Sequence, residues 1–193
     1  MNLDICEITP FHVRAISPYA PGKPISELER ELGITDIVKL ASNENPLGAS
    51  PLAVKAMEKA LCDIARYPDG NGYELKAAIA DRHGVSKDAI VLGNGSNDLL
   101  ELAARAFLEP GFSAVFSKHA FAVYPLVVQA VGAKGIEAAP KDWGHDLDAM
   151  FSALEEDTRM VFIANPNNPT GTLLEKGELR RFIGSLPENV LVV

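Results

Sequence analysis

From about residue 89 onward, the chain alternates short apolar segments with longer amphipathic ones. Amphipathic segments such as DLLELAARAF and LDAMFSALEED separate the apolar stretches AIVLG, SAVFS, KGIEAAP, RMVFIA and NVLVV. Apolar strands that alternate with helices are typical of a mostly parallel sheet that is covered on both faces. We therefore predict an α/β fold with three layers, in which the sheet lies between two layers of helices.

The earlier part of the chain carries mainly helix signals. Residues 1–30 are predicted to be an N-terminal arm whose first 24 residues are extended, and residues 31–193 to be the first part of one large domain. PISELERELG predicts a helix that Gly33 ends, and YELKAAIADRHG predicts a helix that Gly84 ends. Ser50 and Pro51 are an N-cap and N1 pair that begins a further helix. A brief strand is expected in IVKLASNENPLG.

Composition excludes several classes of function. The formal net charge of −8 argues against nucleic acid or an anionic membrane as the main partner. No apolar run approaches the roughly 20 residues of a membrane helix, and the N-terminus does not resemble a secretion signal. Cys6 and Cys62 have no metal-type spacing and suit a reducing compartment. We expect a cytoplasmic protein without a metal site, and a small anionic ligand remains compatible with the charge.

The segment VLGNGSNDLLEL predicts a phosphate site. A strand passes through the turn Gly93-Asn94-Gly95 into a helix, so the amides of Ser96 and Asn97 are free for a ligand. An ordinary strand-to-helix turn, with Asp98 and Glu101 as a capping box, fits the spacing equally well. The segment lacks the last glycine of a dinucleotide fingerprint and the Gly-Lys-Ser/Thr of a nucleotide P-loop, so a single phosphate is favoured.

The segment IANPNNPTG places a rigid polar loop after an apolar strand. Asn165, Asn167 and Asn168 supply amide donors, and Pro166 and Pro169 restrict the backbone. Ligands of α/β sheets bind beyond the carboxyl ends of strands, which is where this loop lies. The alternative is a pair of stacked turns without a ligand. Downstream, Thr172 and Glu175 are spaced as a capping box for the next helix.

The order of these motifs resembles a known enzyme family. A strand, Asn-Pro-Thr-Gly and a helix resemble the signature loop of pyridoxal-phosphate aminotransferases with the aspartate aminotransferase fold. SNENPLG, RYPDG, GNGSNDLLEL and FAVYP occur in the family's order, and they are similar to the histidinol-phosphate aminotransferase branch over about residues 16–193. The resemblance implies pyridoxal 5′-phosphate as cofactor and a homodimer with shared sites. It implies transfer of an amino group from L-histidinol phosphate to 2-oxoglutarate, that is, from a phosphate-bearing amine to a 2-oxo acid, giving imidazole acetol phosphate and L-glutamate in histidine biosynthesis.

The resemblance assigns cofactor roles to individual residues. Gly95 and the amides of Ser96 and Asn97 would hold the cofactor phosphate, and Asn168 would donate a hydrogen bond to the phenolic oxygen. Phe121 lies at the position of the aromatic residue that stacks on the pyridine ring, where many relatives have tyrosine. Without the resemblance, a phenylalanine at this kind of junction is more often part of the core.

Further roles concern the substrate and the second subunit. The resemblance implies that Tyr67 reaches the cofactor phosphate of the partner subunit and that Tyr19, Asn43 and Glu44 lie at the substrate. The alternatives are a loop tyrosine at Tyr67, an anchor for the arm at Tyr19, and a turn shaped by Asn43 and Glu44.

The family's remaining catalytic groups are expected after Val193. These are the Schiff-base lysine, the Asp that pairs with the pyridine nitrogen and the arginines that bind substrate; Lys39 and Lys118 are expected to be solvated. We therefore expect the N-terminal part of a transaminase, which by itself is aggregation-prone and binds the cofactor weakly. An aromatic amino-acid aminotransferase or a threonine-phosphate decarboxylase would keep the same motifs. A truncated, non-catalytic chain that binds a phosphate ligand or a partner is the alternative of another class.

Overall fold

The computed structural model describes residues 5–19 and 22–193, with side chains from Glu7 onward, and it contains two compact units. The sheet unit comprises the described part of Met1–Tyr19 together with Gly93–Val193, and the helical unit comprises the described part of Ala20–Leu92. The side chain of Cys6 lies outside the described part, whereas Cys62 is exposed.

The described strands form one parallel sheet in the order β2-β1-β3-β4. Their bounds are β1 Ser113–Ser117, β2 Lys134–Ala138, β3 Thr158–Val161 and β4 Leu191–Val192. The α-helices of the described residues are α1 Ile5–Ile8, α2 Phe11–Arg14, α3 Ile25–Leu32, α4 Pro51–Ala60, α5 Tyr73–His83, α6 Ser96–Phe107, α7 Val123–Ala130, α8 Leu147–Ser152 and α9 Lys176–Ser185. Short 3₁₀ helices follow at Leu61–Asp63 and Lys87–Ala89.

Two hydrophobic clusters lie on opposite faces of the sheet. Successive side chains of a strand point to opposite faces, so Ala114 and Phe116 of β1 join one cluster while Val115 joins the other. The first cluster includes buried side chains of α6 and α7, and the second includes buried side chains of α8 and α9. This arrangement confirms the predicted α/β fold with helices on both faces of a parallel sheet.

Two predicted strands are not formed. No strand is present at 37–48 or at 89–93 in the described structure, although Ile90 has extended dihedral angles of −113° and 121°. An apolar run can be extended without belonging to a sheet, because a strand also needs a hydrogen-bonding neighbour. The sequence pattern contains no information about that neighbour.

The N-terminal segment is less extended than expected. α1 and α2 are single helical turns, and Nε2 of Gln129 in α7 donates a hydrogen bond to the His12 carbonyl at 3.1 Å. The prediction of an extended arm is therefore wrong for these turns. Their sequence shows no periodicity because a single turn is too short to display one.

The helical unit follows its local signals closely. α3 and α5 end at Gly33 and Gly84, both in the left-handed conformation, and α4 begins directly after Ser50. These bounds confirm the predicted helix ends. Among the described residues of this unit, no side chain is buried.

Candidate active site

The loops that follow β1 and β3 lie at a topological switch point. β1 and β3 are hydrogen-bonded neighbours. From β1 the chain passes through α7 on the face of the first cluster, and from β3 it passes through α9 on the face of the second. Where the connections of neighbouring parallel strands diverge to opposite faces, a ligand crevice forms beyond the carboxyl ends of the strands. Residues 118–122, the β1 loop, and residues 163–175, the Asn loop, border this position.

The Asn loop is closed by its own hydrogen bonds. The side chain of Asn165 accepts from the Leu174 amide at 2.8 Å and donates to the Leu174 carbonyl at 3.2 Å. The backbone N–H of Asn167 donates a hydrogen bond to the Thr172 carbonyl at 2.8 Å. Both Asn-Pro peptide bonds in the loop are cis. The hydrogen bonds of Asn165 and Asn167 hold the segment before α9 to the loop. The predicted capping box of Thr172 and Glu175 is wrong, because α9 begins only at Lys176.

One side chain connects the Asn loop to the β1 loop. Nδ2 of Asn167 donates to the His119 carbonyl at 2.9 Å and to the Thr170 hydroxyl at 2.7 Å. Asn167 is 3% exposed. The structure thus brings the segment that carries Asn168 together with the segment that carries Phe121.

A histidine supports the base of the Asn loop. Nε2 of His145 lies 3.0 Å from the Ala164 carbonyl oxygen. Because a carbonyl only accepts hydrogen bonds, Nε2 carries the proton, and the buried Nδ1 has no hydrogen-bond partner in the described structure. Burial lowers the pKa of His145. Sequence reasoning missed this residue, since a single histidine between a glycine and an N-cap aspartate carries no pattern.

The segment before His145 fits tightly under the loop. A Cβ added at Gly144 would lie 2.6 Å from Oγ1 of Thr172, and the Ser117 hydroxyl donates to the Gly144 carbonyl at 3.4 Å. A larger residue at position 144 would therefore require either the Thr172 side chain or the Gly144 backbone to shift.

Phe121 is half-buried at the edge of the first cluster. Its ring meets Tyr124 edge-on, with centroids 5.8 Å apart, and Tyr124 stacks on Phe162 at 4.7 Å. Burial raises the pKa of Tyr124. Phe121 therefore contacts the core on one side and is accessible elsewhere. This position is compatible both with a core residue and with an aromatic residue that stacks on the cofactor ring.

The start of α6 matches a phosphate-binding turn in its backbone. Gly95 is the N-cap and has φ +89° and ψ 175°, a conformation that is essentially restricted to glycine. The alternative capping box is not formed, because Glu101 pairs with Arg105 at 2.8 Å. Asp98 instead accepts hydrogen bonds from the backbone and side-chain nitrogens of Asn94, at 3.0 and 3.1 Å. Gly95 has no side chain, and the start of α6 has no side-chain cap hydrogen bond, so no capping side chain occupies the amides of Ser96 and Asn97.

The remaining predicted residues are exposed. Tyr19 belongs to the sheet unit and is 54% exposed, and Tyr67 in the helical unit is fully exposed. Asn43 has φ +50°, and Glu44 pairs with Lys39 at 2.6 Å. The expectation that Lys39 is solvated is wrong, because its side chain is only 19% exposed and is bound to Glu44. Lys118 is exposed, as expected.

The family model for aminotransferase class I and II matches residues 35–193, which is most of the chain. The chain belongs to the class I and II aminotransferase family. Similar proteins within this family include histidinol-phosphate aminotransferase 2 of Nitrosospira multiformis, which is 62% identical over 99% of this chain and 49% of its own length. Histidinol-phosphate aminotransferase 1 of Thiobacillus denitrificans is 60% identical over 98% of this chain and 50% of its own length.

Solved aminotransferase structures share the fold. The histidinol-phosphate aminotransferase of Sinorhizobium meliloti, in complex with pyridoxal-5′-phosphate, has a TM-score of 0.85 and 26% sequence identity. The match covers 96% of this chain and 50% of that one. The chain thus spans about half the length of the relatives and structures that it matches.

Residues 5–19 and 22–193 contain neither a membrane-spanning helix nor a cluster of metal ligands. Among the helices that the structure describes, none combines the length and the apolar character that crossing a membrane requires. The same ranges contain no group of three or more His, Cys, Asp or Glu side chains arranged to hold a metal ion.

Proposed function

We propose that the full-length enzyme, meaning a protein of the relatives' length that includes these residues, is a pyridoxal-phosphate-dependent histidinol-phosphate aminotransferase. Its proposed reaction transfers the amino group of L-histidinol phosphate to 2-oxoglutarate in histidine biosynthesis. The observation that carries this proposal is the 57–62% identity to proteins named histidinol-phosphate aminotransferase along nearly the whole chain. We further propose that residues 31–193 contribute the first part of its large domain, and that the enzyme works in the cytoplasm.

The residues on this chain fit the cofactor in their chemistry. A Cβ added at Gly95 would meet no atom within 4 Å, so the backbone there is open to a ligand. A phosphate suits the uncapped amides of Ser96 and Asn97, because a helix N-terminus carries partial positive charge. Asn168 supplies a neutral amide donor for a phenolic oxygen, and the accessible part of Phe121 supplies a flat apolar surface for a ring.

The roles of these residues are binding and orientation. When bound, pyridoxal phosphate supplies an electron sink for the substrate carbon that loses its proton. Ser96 and Asn97 would hold the phosphate, and Asn168 would hold the phenolic oxygen on the crevice side of β3. Phe121 would restrict the tilt of the ring. The family's proton-transferring lysine is expected outside this chain, so we assign no proton transfer to a residue described here.

Substrate and subunit roles remain proposals for Tyr19, Asn43, Glu44 and Tyr67. The full exposure of Tyr67 supports a role outside its own subunit, since a side chain without neighbours is accessible to a second copy. We propose a homodimer in which Tyr67 binds the cofactor phosphate of the partner. Asn43 and Glu44 are proposed to bind the phosphate-bearing amine, and a substrate-binding role is proposed separately for Tyr19 of the arm.

The amino-donor profile tests the proposed reaction. The full-length enzyme should show the highest kcat/KM with L-histidinol phosphate, because a phosphate group offers charge-assisted hydrogen bonds that an aromatic amino acid lacks. L-Phenylalanine and L-threonine phosphate serve as comparison substrates. A higher kcat/KM with phenylalanine would identify an aromatic aminotransferase, and release of carbon dioxide from threonine phosphate would identify a decarboxylase.

Mixed dimers test the shared site. Subunits with Tyr67→Phe are combined with subunits whose active-site lysine has been replaced, and heterodimers are purified with two different tags. If Tyr67 serves the partner, one site of each heterodimer carries both defects and the other carries neither, so part of the wild-type activity returns. Heterodimers without such recovery would place Tyr67 in its own subunit's site or outside any site.

A further inference from the structure

The side-chain amide of Asn167 forms a hydrogen bond between two loops that lie far apart in sequence. Its Nδ2 donates to the His119 carbonyl at 2.9 Å, although 48 residues separate the two positions. Asn168 directly follows the donor residue, and Phe121 lies two residues after the acceptor. A single hydrogen bond thus connects the position directly before Asn168 to the position two residues before Phe121, and the proposed function assigns both of these residues to the cofactor ring.

Both ends of this connection are themselves held in place. The backbone of Asn167 donates to the Thr172 carbonyl and accepts from the Gly171 amide, each at 2.8 Å. At the other end, the His119 ring lies against the Trp143 ring with centroids 4.9 Å apart. A bond between two anchored segments transmits a displacement of one loop to the other, whereas a bond between mobile segments would not.

The side-chain amide of Asn167 is buried at an energetic cost that packing alone does not explain. Oδ1 of Asn167 is buried and has no hydrogen-bond partner in the described part of the chain. A buried acceptor without a partner destabilises the folded state. Departures of this kind are expected where a side chain serves the geometry of a functional site, and here the useful half of the amide is the nitrogen that reaches His119.

We propose that Asn167 is a positioning residue, which sets the separation of the Asn168 amide and the Phe121 ring through its hydrogen bond to the His119 carbonyl. This inference rests on the proposed function, because it assigns both groups to the cofactor ring. Asn167 acts through the two loops and does not itself touch the cofactor. Small errors of placement at a reacting centre have large effects on rate, of about 10²-fold for 1 Å.

Hydrogen exchange of the cofactor-free, full-length enzyme provides the first test. Asn167→Ala should accelerate amide exchange in residues 118–122 by about tenfold or more, because the β1 loop loses its connection to the Asn loop. Asn165→Ala is the matched control: it also removes two side-chain hydrogen bonds from the same loop, but both of them go to Leu174. The control should leave exchange in residues 118–122 at the wild-type rate. Equal exchange of this segment in Asn167→Ala and wild type would overturn the proposal.

Cofactor titration provides the second test. Asn167→Ala should raise the Kd for pyridoxal phosphate by about tenfold and weaken the circular dichroism of each bound cofactor, which reports ring orientation. In a Phe121→Ala background, the effect of Asn167→Ala on Kd should shrink, since residues that act as one unit are not additive. Asn165→Ala and Phe121→Ala should combine additively. Additive effects for Asn167 and Phe121 would contradict the proposal.

A second variant at position 167 keeps the proposal testable if Asn167→Ala does not fold. Asn167→Asp keeps the size of the side chain and replaces the donor nitrogen with an oxygen, so it should show the same changes even if Asn167→Ala does not fold. Wild-type enzyme that binds no pyridoxal phosphate would refute the proposed function and, with it, this inference. Wild-type binding together with unchanged exchange and unchanged Kd in Asn167→Asp would refute the positioning role alone.

Discussion

The sheet unit and the helical unit both form regular helices, but among the described residues the buried apolar side chains belong to the sheet unit alone. The fully covered side chains, such as Phe162 and Met160, all lie between Ala104 and Phe182. In the described residues of the helical unit no side chain is buried, although α4 and α5 have 10 and 11 residues. The comparison shows that local signals are sufficient to specify a helix, whereas burial requires a second surface.

The physical reason lies in what a sheet offers to a helix. A parallel sheet has two apolar faces, and each receives helices from the crossover connections between strands. Met57 of α4 and the following apolar residues Leu61 and Ile64 are 57%, 61% and 75% exposed. Apolar area that stays in water forgoes about 25 cal/mol per Å². The stabilising contacts of the described chain are therefore concentrated in the sheet unit.

Two methionines give the largest expected contrast between the units. Met160→Ala should lower the free energy of unfolding of the full-length enzyme by about 2–5 kcal/mol, since Met160 is fully buried in β3. Met57→Ala removes the same atoms from an exposed position and should cost about 0.5 kcal/mol. Denaturant titration of both variants measures the difference. Equal losses would break the comparison and show that the Met57 face is covered in the full-length enzyme.

Two asparagines test the comparison at the proposed site. Asn168→Ala should weaken cofactor binding by about 1.5–3 kcal/mol, the usual worth of a hydrogen bond to a charged oxygen. Asn43→Gly should leave cofactor binding unchanged and raise KM for the amino donor; glycine suits its φ of +50°. Spectroscopic titration with pyridoxal phosphate and initial-rate kinetics separate the two effects. An unchanged cofactor affinity in Asn168→Ala would contradict the role assigned to its amide.

Two glycines with positive φ, one in each unit, test whether phosphate binding is confined to the sheet unit. Gly95→Ala should destabilise the protein by about 1–3 kcal/mol, because its dihedral angles are accessible only to glycine, and it should also weaken phosphate binding. Gly84→Ala in the helical unit should cost about 1–2 kcal/mol, since alanine tolerates the left-handed helical conformation better. Thermal melting together with a titration with inorganic phosphate measures both properties. Equal loss of phosphate affinity in the two variants would remove Gly95 from the proposed site.

The smallest expected effect is a pH dependence from His145. Burial lowers its folded-state pKa below the ordinary value of 6.5, so the unfolded chain binds more protons as the pH falls through 6.5. Stability should therefore decrease from about pH 6.5 downward, and His145→Gln should reduce that slope. His83→Gln, at an exposed position of α5, should retain it. Melting temperatures between pH 5 and 8 decide the matter, and an unchanged slope in His145→Gln would exclude His145 as its source.

Much of the sheet unit could be predicted because its signals are local. The apolar run SAVFS and the helix LDAMFSALEED indicated β1 and α8, and the Asn loop was expected at the carboxyl end of a strand, where it lies. The segment AIVLG was also predicted to be a strand, but it has no hydrogen-bonded partner strand in the described sheet. The pairing of Lys39 with Glu44 was missed because charge alone does not distinguish a solvated lysine from a paired one.

The local sequence determined where α3 and α5 end and where α6 begins. These bounds depend on residues within one turn, namely the glycines at positions 33, 84 and 95. Tertiary structure alone decided the strand order β2-β1-β3-β4, and with it the meeting of the β1 loop and the Asn loop at one edge of the sheet. It also decided that the Asn167 amide meets the His119 carbonyl and that His145 supports Ala164. Such contacts join residues about 20 to 50 positions apart, and neither periodicity nor turn chemistry extends over that distance.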